Sequence, residues 1–167
     1  MIKPPLILTL ALTDKDSAYF NILRQKYFPK ERNFIDAHLT LFHALPYELT
    51  VIDTLKEWCS NQTGFMVQVK EPVPIGKGVA FKLASEELML MHKSLQVKWL
   101  DFLSLQDRHR IWPHITVQNK VTATEAKELL DELKKEFSPF EMPAVGLQLW
   151  EYLNGPWKFV EEFGFKT

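Results

Sequence analysis

The sequence predicts an α+β protein in which an antiparallel sheet carries helices on its outer side. Two observations lead to this class. Short apolar or alternating segments are separated by strong turn residues, as in antiparallel sheets, and amphipathic helical segments are interleaved with them. We expect strands at residues 6–12, 65–69, 79–83, 142–152 and 157–163, and two further strands that carry a repeated motif.

The first elements follow from hydrophobicity and capping. Residues 6–12 are apolar enough for a strand that is buried on both faces. A helix should begin at Asp14, with Asp14 or Asp16 as its cap, and should end before Pro29. Its expected inner face consists of Tyr19, Leu23 and Tyr27.

Three more helices are predicted from apolar stripes and start signals. One spans about Val51 to Cys59, and another begins at Ser85-Glu86-Glu87. The last begins at the capping box of Thr122 and Glu125 and continues to about Phe137. The second of these helices should bury Leu88, Met91, Leu95, Trp99 and Phe102.

Two hairpins are expected from turn residues. Pro72 to Gly78 should form a long connection between the strands at 65–69 and 79–83. Asn154-Gly155-Pro156 is a strong turn before the closing strand. Val145, Leu147 and Leu149 alternate with polar residues, so we expect them to share one face of the preceding strand.

The repeated motif is the most informative feature. His38-Leu39-Thr40-Leu41 and His114-Ile115-Thr116-Val117 have the same pattern and lie 114 − 38 = 76 residues apart. Side chains alternate between the faces of a strand, so each copy should present His and Thr on one face and its apolar pair on the other. The apolar pairs should be core, and the His and Thr residues should face a ligand.

If the two half-sheets face each other across a cleft, His38, Thr40, His114 and Thr116 meet in one volume. Two opposed imidazoles can act as base and acid near neutral pH. Two Thr hydroxyls can donate hydrogen bonds to the non-bridging oxygens of a tetrahedral anion. This set of groups suits phosphodiester chemistry.

With both motifs, with Pro113 directly before the second, and with the late strand Leu147-Gln148-Leu149-Trp150, the chain resembles the two-histidine (2H) phosphoesterases, which include the 2′-5′ RNA ligase-like proteins and cyclic phosphodiesterases. The resemblance covers nearly the whole chain. It implies a bilobal, pseudo-symmetric fold of two antiparallel sheets with a central cleft. It also implies metal-independent hydrolase activity in RNA processing, with no cofactor, on RNA ends or nucleotides that carry a 2′,3′-cyclic phosphate or a 2′-5′ linkage.

Other residues are candidates for substrate contact. Phe42 and Trp112 could stack a base, as could Trp157, and Arg110 and Lys120 could screen phosphate. His43 is an odd number of residues from His38, so in a continuous strand it should point away from the site. Asp36 shares the parity of His38 and could orient its ring, although a turn role is the more common one for such a carboxylate.

Two alternatives stay open. His38 and His114 could be two ligands of a metal site, but no third ligand with suitable spacing accompanies them in the sequence. The chain could instead be a non-catalytic module that binds an RNA end or a nucleotide. Turnover of a simple 2′,3′-cyclic nucleotide separates the enzyme from the binding module.

Composition and charge narrow the class further. Of the 167 residues, 46% are hydrophobic and 25% charged, and the net charge is −1, which argues against a globally basic nucleic-acid binder. Cys59 is the only cysteine, so no intrachain disulfide forms and a reducing cytoplasm fits. No segment approaches the length of a membrane span. We expect one domain over residues 1–167, with an internal pseudo-duplication, in a monomeric cytoplasmic protein.

Overall fold

The computed structural model describes residues 2–167, which form one antiparallel sheet of seven strands with four α-helices. The α+β class predicted from the sequence is confirmed. The strands are β1 Leu6–Leu12, β2 Thr40–Leu45, β3 Phe65–Pro74, β4 Val79–Ala84, β5 His114–Gln118, β6 Phe140–Tyr152 and β7 Trp157–Gly164. The helices are α1 Asp14–Tyr27, α2 Leu49–Asn61, α3 Glu86–Lys98 and α4 Ala123–Glu136.

The strand order is β2-β1-β6-β3-β4-β5, and β7 also pairs with β6. At 13 residues, β6 is long enough to pair with two different strands along one edge. Its first part, Phe140–Ala144, pairs with β3, and its later part, from Gly146 to Tyr152, pairs with β7. Strand β1 runs along the other edge of β6. The two sheets that we expected are therefore joined through β6 into one hydrogen-bonded sheet.

The two strands that carry the repeated motif lie at opposite ends of this sheet. Strand β2 pairs with β1, and β5 pairs with β4. Residues of both strands nevertheless line a single cavity. The sheet therefore curves until its two ends face each other, which is the arrangement that the duplicated motif required.

Helix capping agrees with the sequence at two helices and differs in detail at a third. The Thr122 side chain accepts a hydrogen bond from the backbone N–H of Glu125, and that of Ser85 accepts one from Leu88. In α1 the cap is Thr13, one residue before the expected Asp14. Its hydroxyl satisfies a backbone N–H that the start of the helix would otherwise leave unpaired.

The inner face of α1 includes the expected Leu23 and Tyr27, which are half-buried against the core, but its most buried residues are two others. Phe20 and Arg24 are buried, whereas Tyr19 is 41% exposed. An arginine scores as surface in any hydrophobic pattern, so the sequence could not show that Arg24 lies inside. In α3 the expected stripe is buried from Leu88 to Trp99, and only Phe102 beyond the helix is exposed.

Two strands differ from the expected ones, β3 in its length and β6 in its alternation. Strand β3 continues to Pro74, so the turn that follows is shorter than predicted. The prolines are accommodated because the pairing of β3 with β6 ends at Val69, and beyond it a missing N–H on that edge breaks no ladder bond. In β6, the register against β1 shifts between Ala144 and Gly146, so Val145 is exposed while Leu147 and Leu149 are buried.

Among the described helices, none is both long and apolar enough to cross a membrane.

Candidate functional site

The two motifs meet in a cavity of about 320 Å³ between the ends of the sheet, here called the histidine cleft. His38, Thr40, His114 and Thr116 all line it. The rest of its lining comes from the segment before β5 and from β2: His43, Gln106, Asp107, His109, Arg110, Ile111 and Trp112. The structure thus brings together the four residues whose convergence the spacing suggested.

The apolar partners of the motifs lie on the opposite side. Leu39, Leu41, Ile115 and Val117 each have no exposed surface. Thr40 and Thr116 are half-buried. The pattern of each motif therefore separates core from cleft, as alternation in a strand requires.

Each motif histidine is oriented by its own backbone. The Nδ1 atom of His38 lies 2.8 Å from the carbonyl oxygen of Asp36, and that of His114 lies 2.6 Å from the carbonyl oxygen of Trp112. A carbonyl can only accept, so Nδ1 carries the proton in both rings and donates it. Nε2 is then the nitrogen that remains for a ligand. It is the backbone of Asp36, and not its carboxylate, that orients His38.

An indole contacts each of the two imidazoles. The ring of His114 stacks on Trp112 with centroids 4.3 Å apart and an angle of 22° between the planes. The ring of His38 is tilted against Trp157 at 4.6 Å. These contacts hold the rings and also remove water from them.

Burial has an electrostatic consequence for both rings. It is the main reason why the pKa of His38 is lowered to about 4. The hydrogen bond to the backbone of Asp36 opposes this shift, whereas the nearby charges of Arg24, His114 and His43 add to it. Burial also lowers the pKa of His114, opposed by its bond to Trp112. Both imidazoles are therefore neutral at pH 7 when the cleft is empty. A neutral ring with a free Nε2 is ready to act as a base.

Arg24 is a site residue that the sequence did not reveal. The residue is only 5% exposed, and its guanidinium donates from Nη1 to the carbonyl oxygen of Thr116 at 3.0 Å and from Nε to Oδ1 of Asn33 at 2.9 Å. It also lies over the ring of Phe28 at 4.1 Å. Burial lowers its pKa to about 10, and Asp36 opposes that shift. Arg24 thus places a positive charge beneath the second motif at neutral pH.

His43 is a second residue that sequence reasoning missed, and here the prediction was wrong. His43 lines the histidine cleft together with His38, although the odd spacing suggested that it points away. The register of β2 against β1 shifts between Thr40 and Phe42, so Leu41 and Phe42 are both buried and the alternation is reset. No residue type in this segment indicates that the register shifts here.

Of the other residues that we expected to contact substrate, some line the cleft and others do not. Arg110 and Trp112 line the cleft, and Trp112 is 45% exposed. Phe42 has no exposed surface and packs against His92 and Trp99, so the expectation that it contacts substrate is wrong. Lys120 lines a different cavity, and the structure does not bring it to the cleft.

His92 is a buried packing residue. Its Nε2 lies 3.0 Å from the carbonyl oxygen of Leu41. Within residues 2–167, no group of three or more His, Cys, Asp or Glu side chains is placed to hold a metal ion.

Comparisons with known proteins agree with this architecture. The family model for the 2′-5′ RNA ligase superfamily matches residues 13–156. Among curated proteins no significant match was found.

Several solved structures share the fold at low sequence identity. TT0787 of Thermus thermophilus aligns with a TM-score of 0.68 and 17% identity, over 96% of this chain and 97% of that one. The structure of Escherichia coli LigT with 3′-AMP aligns with a TM-score of 0.63 and 14% identity, over 99% of both chains. A complex of LigT with NADP⁺ aligns with a TM-score of 0.62 and 15% identity, also over 99% of both. The match over residues 13–156, together with the paired His-x-Thr motifs at one cleft, identifies the chain as a member of the 2′-5′ RNA ligase superfamily of two-histidine phosphoesterases.

Proposed function

We propose that this protein is a metal-independent phosphodiesterase that acts on 2′,3′-cyclic phosphates or 2′-5′ linkages of an RNA end or small nucleotide. His38 and His114 are its acid–base pair. The observation that carries the proposal is the matched orientation of these two rings, each with Nδ1–H bound to a backbone carbonyl and Nε2 left for a ligand. Two such nitrogens at one cleft are the groups that an in-line displacement at phosphorus needs.

In the proposed reaction, Nε2 of one ring removes a proton from an attacking water, whose oxygen forms a new bond to phosphorus. The bond from phosphorus to the 2′ or 3′ oxygen of the ribose breaks. The other ring, as an imidazolium, gives its Nε2 proton to the departing oxygen. One water is consumed and the phosphodiester becomes a phosphomonoester, so that a cyclic phosphate opens. The two histidines have then exchanged their protonation states.

The acid must gain its proton when substrate binds. Both rings are neutral in the empty cleft because burial lowers the pKa of each. A bound phosphate brings a negative charge next to the rings, which favours the imidazolium. Arg24 and the hydroxyls of Thr40 and Thr116 would hold that phosphate, the hydroxyls by hydrogen bonds to its non-bridging oxygens and Arg24 by its charge alone.

Two cavities that share lining residues with the histidine cleft offer space for a nucleoside. His38 also lines a cavity of about 530 Å³ that contains Trp150 and Trp157. Trp112 and Arg110 also line a larger, mostly apolar cavity of about 990 Å³. An indole in either cavity could stack a base, since stacking on aromatic rings is tolerant of base identity. Because LigT has been crystallised with 3′-AMP, ATP and NADP⁺, we propose nucleotides of this kind as the first ligands to test.

A non-catalytic module that binds nucleotides is the second candidate. One observation favours it: both imidazoles have lowered pKa values, so the empty cleft contains no ready acid. In that case His38, His114 and the two threonines would only hold phosphate. Turnover decides between the two functions.

The test is a screen of the purified protein against 2′,3′-cyclic mononucleotides, ADP-ribose cyclic phosphate and 2′-5′-linked dinucleotides, with and without a chelator. We expect turnover of at least one substrate, unchanged by the chelator and lost in His38→Ala and His114→Ala. Binding without turnover of any of them would support the module instead. Activity that disappears in chelator and returns with a divalent ion would overturn the metal-independent mechanism.

A further inference from the structure

His43 is a third imidazole in the histidine cleft. The register shift in β2 turns its side chain to the same cavity as His38, Thr40 and His114, and this side chain is 44% exposed. When protonated, His43 lowers the pKa of both motif histidines, as expected for three imidazoles that line one cavity. The proposed reaction uses two imidazoles, so His43 has no role in it.

A buried carboxylate holds this ring. Asp107 accepts hydrogen bonds from the backbone N–H groups of His43 and Ala44 at 2.9 Å, and its Oδ1 lies 3.0 Å from Nδ1 of His43. Its side chain is 1% exposed. Burial alone would raise the pKa of Asp107, but the bonds from His43 and Ala44 outweigh it and the pKa is below its usual value. Asp107 is therefore ionised at neutral pH.

This arrangement fixes which nitrogen of His43 is free. Nδ1 donates to the carboxylate, so Nε2 is left for a ligand. The carboxylate itself is covered by three N–H groups and barely exposed, and it adds little repulsion for an anion in the cleft. To donate to an anion from Nε2 as well, the ring must carry a proton on both nitrogens, which gives one N–H for each partner.

The neighbours of His43 in the cleft are also basic. His109 and Arg110 line the same cavity, and both side chains are exposed. They belong to the segment that leads into β5, and Gln96 holds this segment by donating from Nε2 to the carbonyl oxygens of Asp107 and His109. His43, His109 and Arg110 thus form a basic cluster beside the paired motifs.

We propose that this cluster binds a second phosphate of the substrate, one that does not react, with His43 as its principal contact. The reacting phosphate already has two imidazoles and two hydroxyls in the proposed mechanism. A nucleotide with a further phosphate on its 5′ side, as at the 3′ end of an RNA strand or in a nucleoside bisphosphate, would use the remaining donors. The proposal rests on the proposed function for the position of the reacting phosphate.

The test compares the binding of adenosine 3′,5′-bisphosphate with that of 3′-AMP, by calorimetry at one ionic strength. Wild-type protein should prefer the bisphosphate by about tenfold, the effect of one charge-assisted hydrogen bond. His43→Ala should lose most of this preference while its affinity for 3′-AMP changes less than about twofold, within the scatter of such contacts. Lys120→Ala removes an exposed cation outside the cleft and should keep the full preference.

Three results would overturn the proposal: no preference in wild type, the full preference retained in His43→Ala, or an equal loss of both ligands in that variant. The last would mean that His43 serves the reacting phosphate or the fold. Thermal melting of His43→Ala and His43→Gln shows whether the fold is intact. Binding of these phosphomonoesters needs no turnover, so selectivity for the bisphosphate together with no turnover of any cyclic phosphate or 2′-5′ linkage in the screen would refute only the phosphodiesterase function.

Discussion

His38 and His114 make the same hydrogen bond: each donates from Nδ1 to the carbonyl oxygen of the residue two positions before it, at 2.8 and 2.6 Å. The acceptors belong to the backbone, so the orientation of each ring depends on local chain geometry and not on the side chain at position 36 or 112. Strands β2 and β5 are at opposite ends of the sheet, yet the sheet's curvature presents the two rings to one cavity. The duplicated motif therefore encodes a duplicated geometry.

The first prediction concerns the pH dependence of turnover. If one ring is the base and the other the acid, the rate of cyclic-phosphate opening should follow a bell-shaped curve whose limbs report coupled ionisations of the pair. Since burial lowers the pKa of both free rings, the limb for the base in free enzyme should lie below pH 6.5. The double variant of His38→Ala and His114→Ala should be only slightly slower than either single variant. Full turnover in either single variant would refute the pair.

The second prediction concerns the threonine hydroxyls. Thr40→Val and Thr116→Val keep the shape of the side chain but remove its donor. Each should lower kcat/KM by about 10²–10³, as does the loss of one oxyanion donor elsewhere. Steady-state kinetics measure this, with Thr50→Val on the exposed start of α2 as a matched control. Unchanged turnover in both cleft variants would remove the threonines from the mechanism.

Alternation predicted much of this site because the apolar pairs fix which face of each motif is core. It failed at His43 and Val145 for one reason: each lies where the strand register shifts by one residue, which exchanges the two faces. Hydrogen bonding with a neighbouring strand creates such a shift, and one strand's own residues do not show it. The burial of Arg24 and Asp107 could not be predicted for another reason: the partners that offset the cost of burying their charges are distant in sequence. Thr116 is 92 residues from Arg24, and His43 is 64 residues from Asp107.

A third prediction separates core from cleft in the second motif. Ile115 has no exposed surface and lies in the main core, whereas His114 is half-buried at the cleft. Ile115→Ala should lower the free energy of unfolding by about 2–5 kcal/mol. His114→Ala should lower it by less, about 1 kcal/mol, since a half-buried ring at the cleft loses one stacking contact with Trp112 and one hydrogen bond to its carbonyl oxygen. Urea denaturation measures both, and equal losses would mean that His114 is structural.

The fourth prediction concerns stability against pH. A histidine whose pKa is lowered in the folded state binds its proton more readily when unfolded, so stability rises with pH between the folded and unfolded pKa values. For His38 this interval runs from about 4 to the ordinary value of 6.5. The melting temperature should therefore increase from pH 4.5 to 7, and His38→Gln should reduce the slope of this rise, to which the lowered pKa values of His114 and His92 also contribute. The lowered pKa of Asp107 acts below pH 3.8 and lies outside the interval. A rise of equal slope in His38→Gln would contradict the prediction.

The last prediction tests the buried positive charge of Arg24. Burial is the main cause of the low pKa of His38, and the charge of Arg24 lowers this pKa further. Arg24→Gln should therefore raise the pKa of His38, measured from the chemical shifts of its ring in an NMR titration. It should also cost about 1–3 kcal/mol of stability, because Thr116 and Asn33 lose a donor to their oxygens. Arg24→Lys separates the two effects: it keeps the charge, and with it the pKa of His38, but cannot donate to both acceptors from one planar group. If His38 titrates identically in Arg24→Gln and wild type, the charge of Arg24 does not reach the cleft, and its role is confined to fastening α1 to β5.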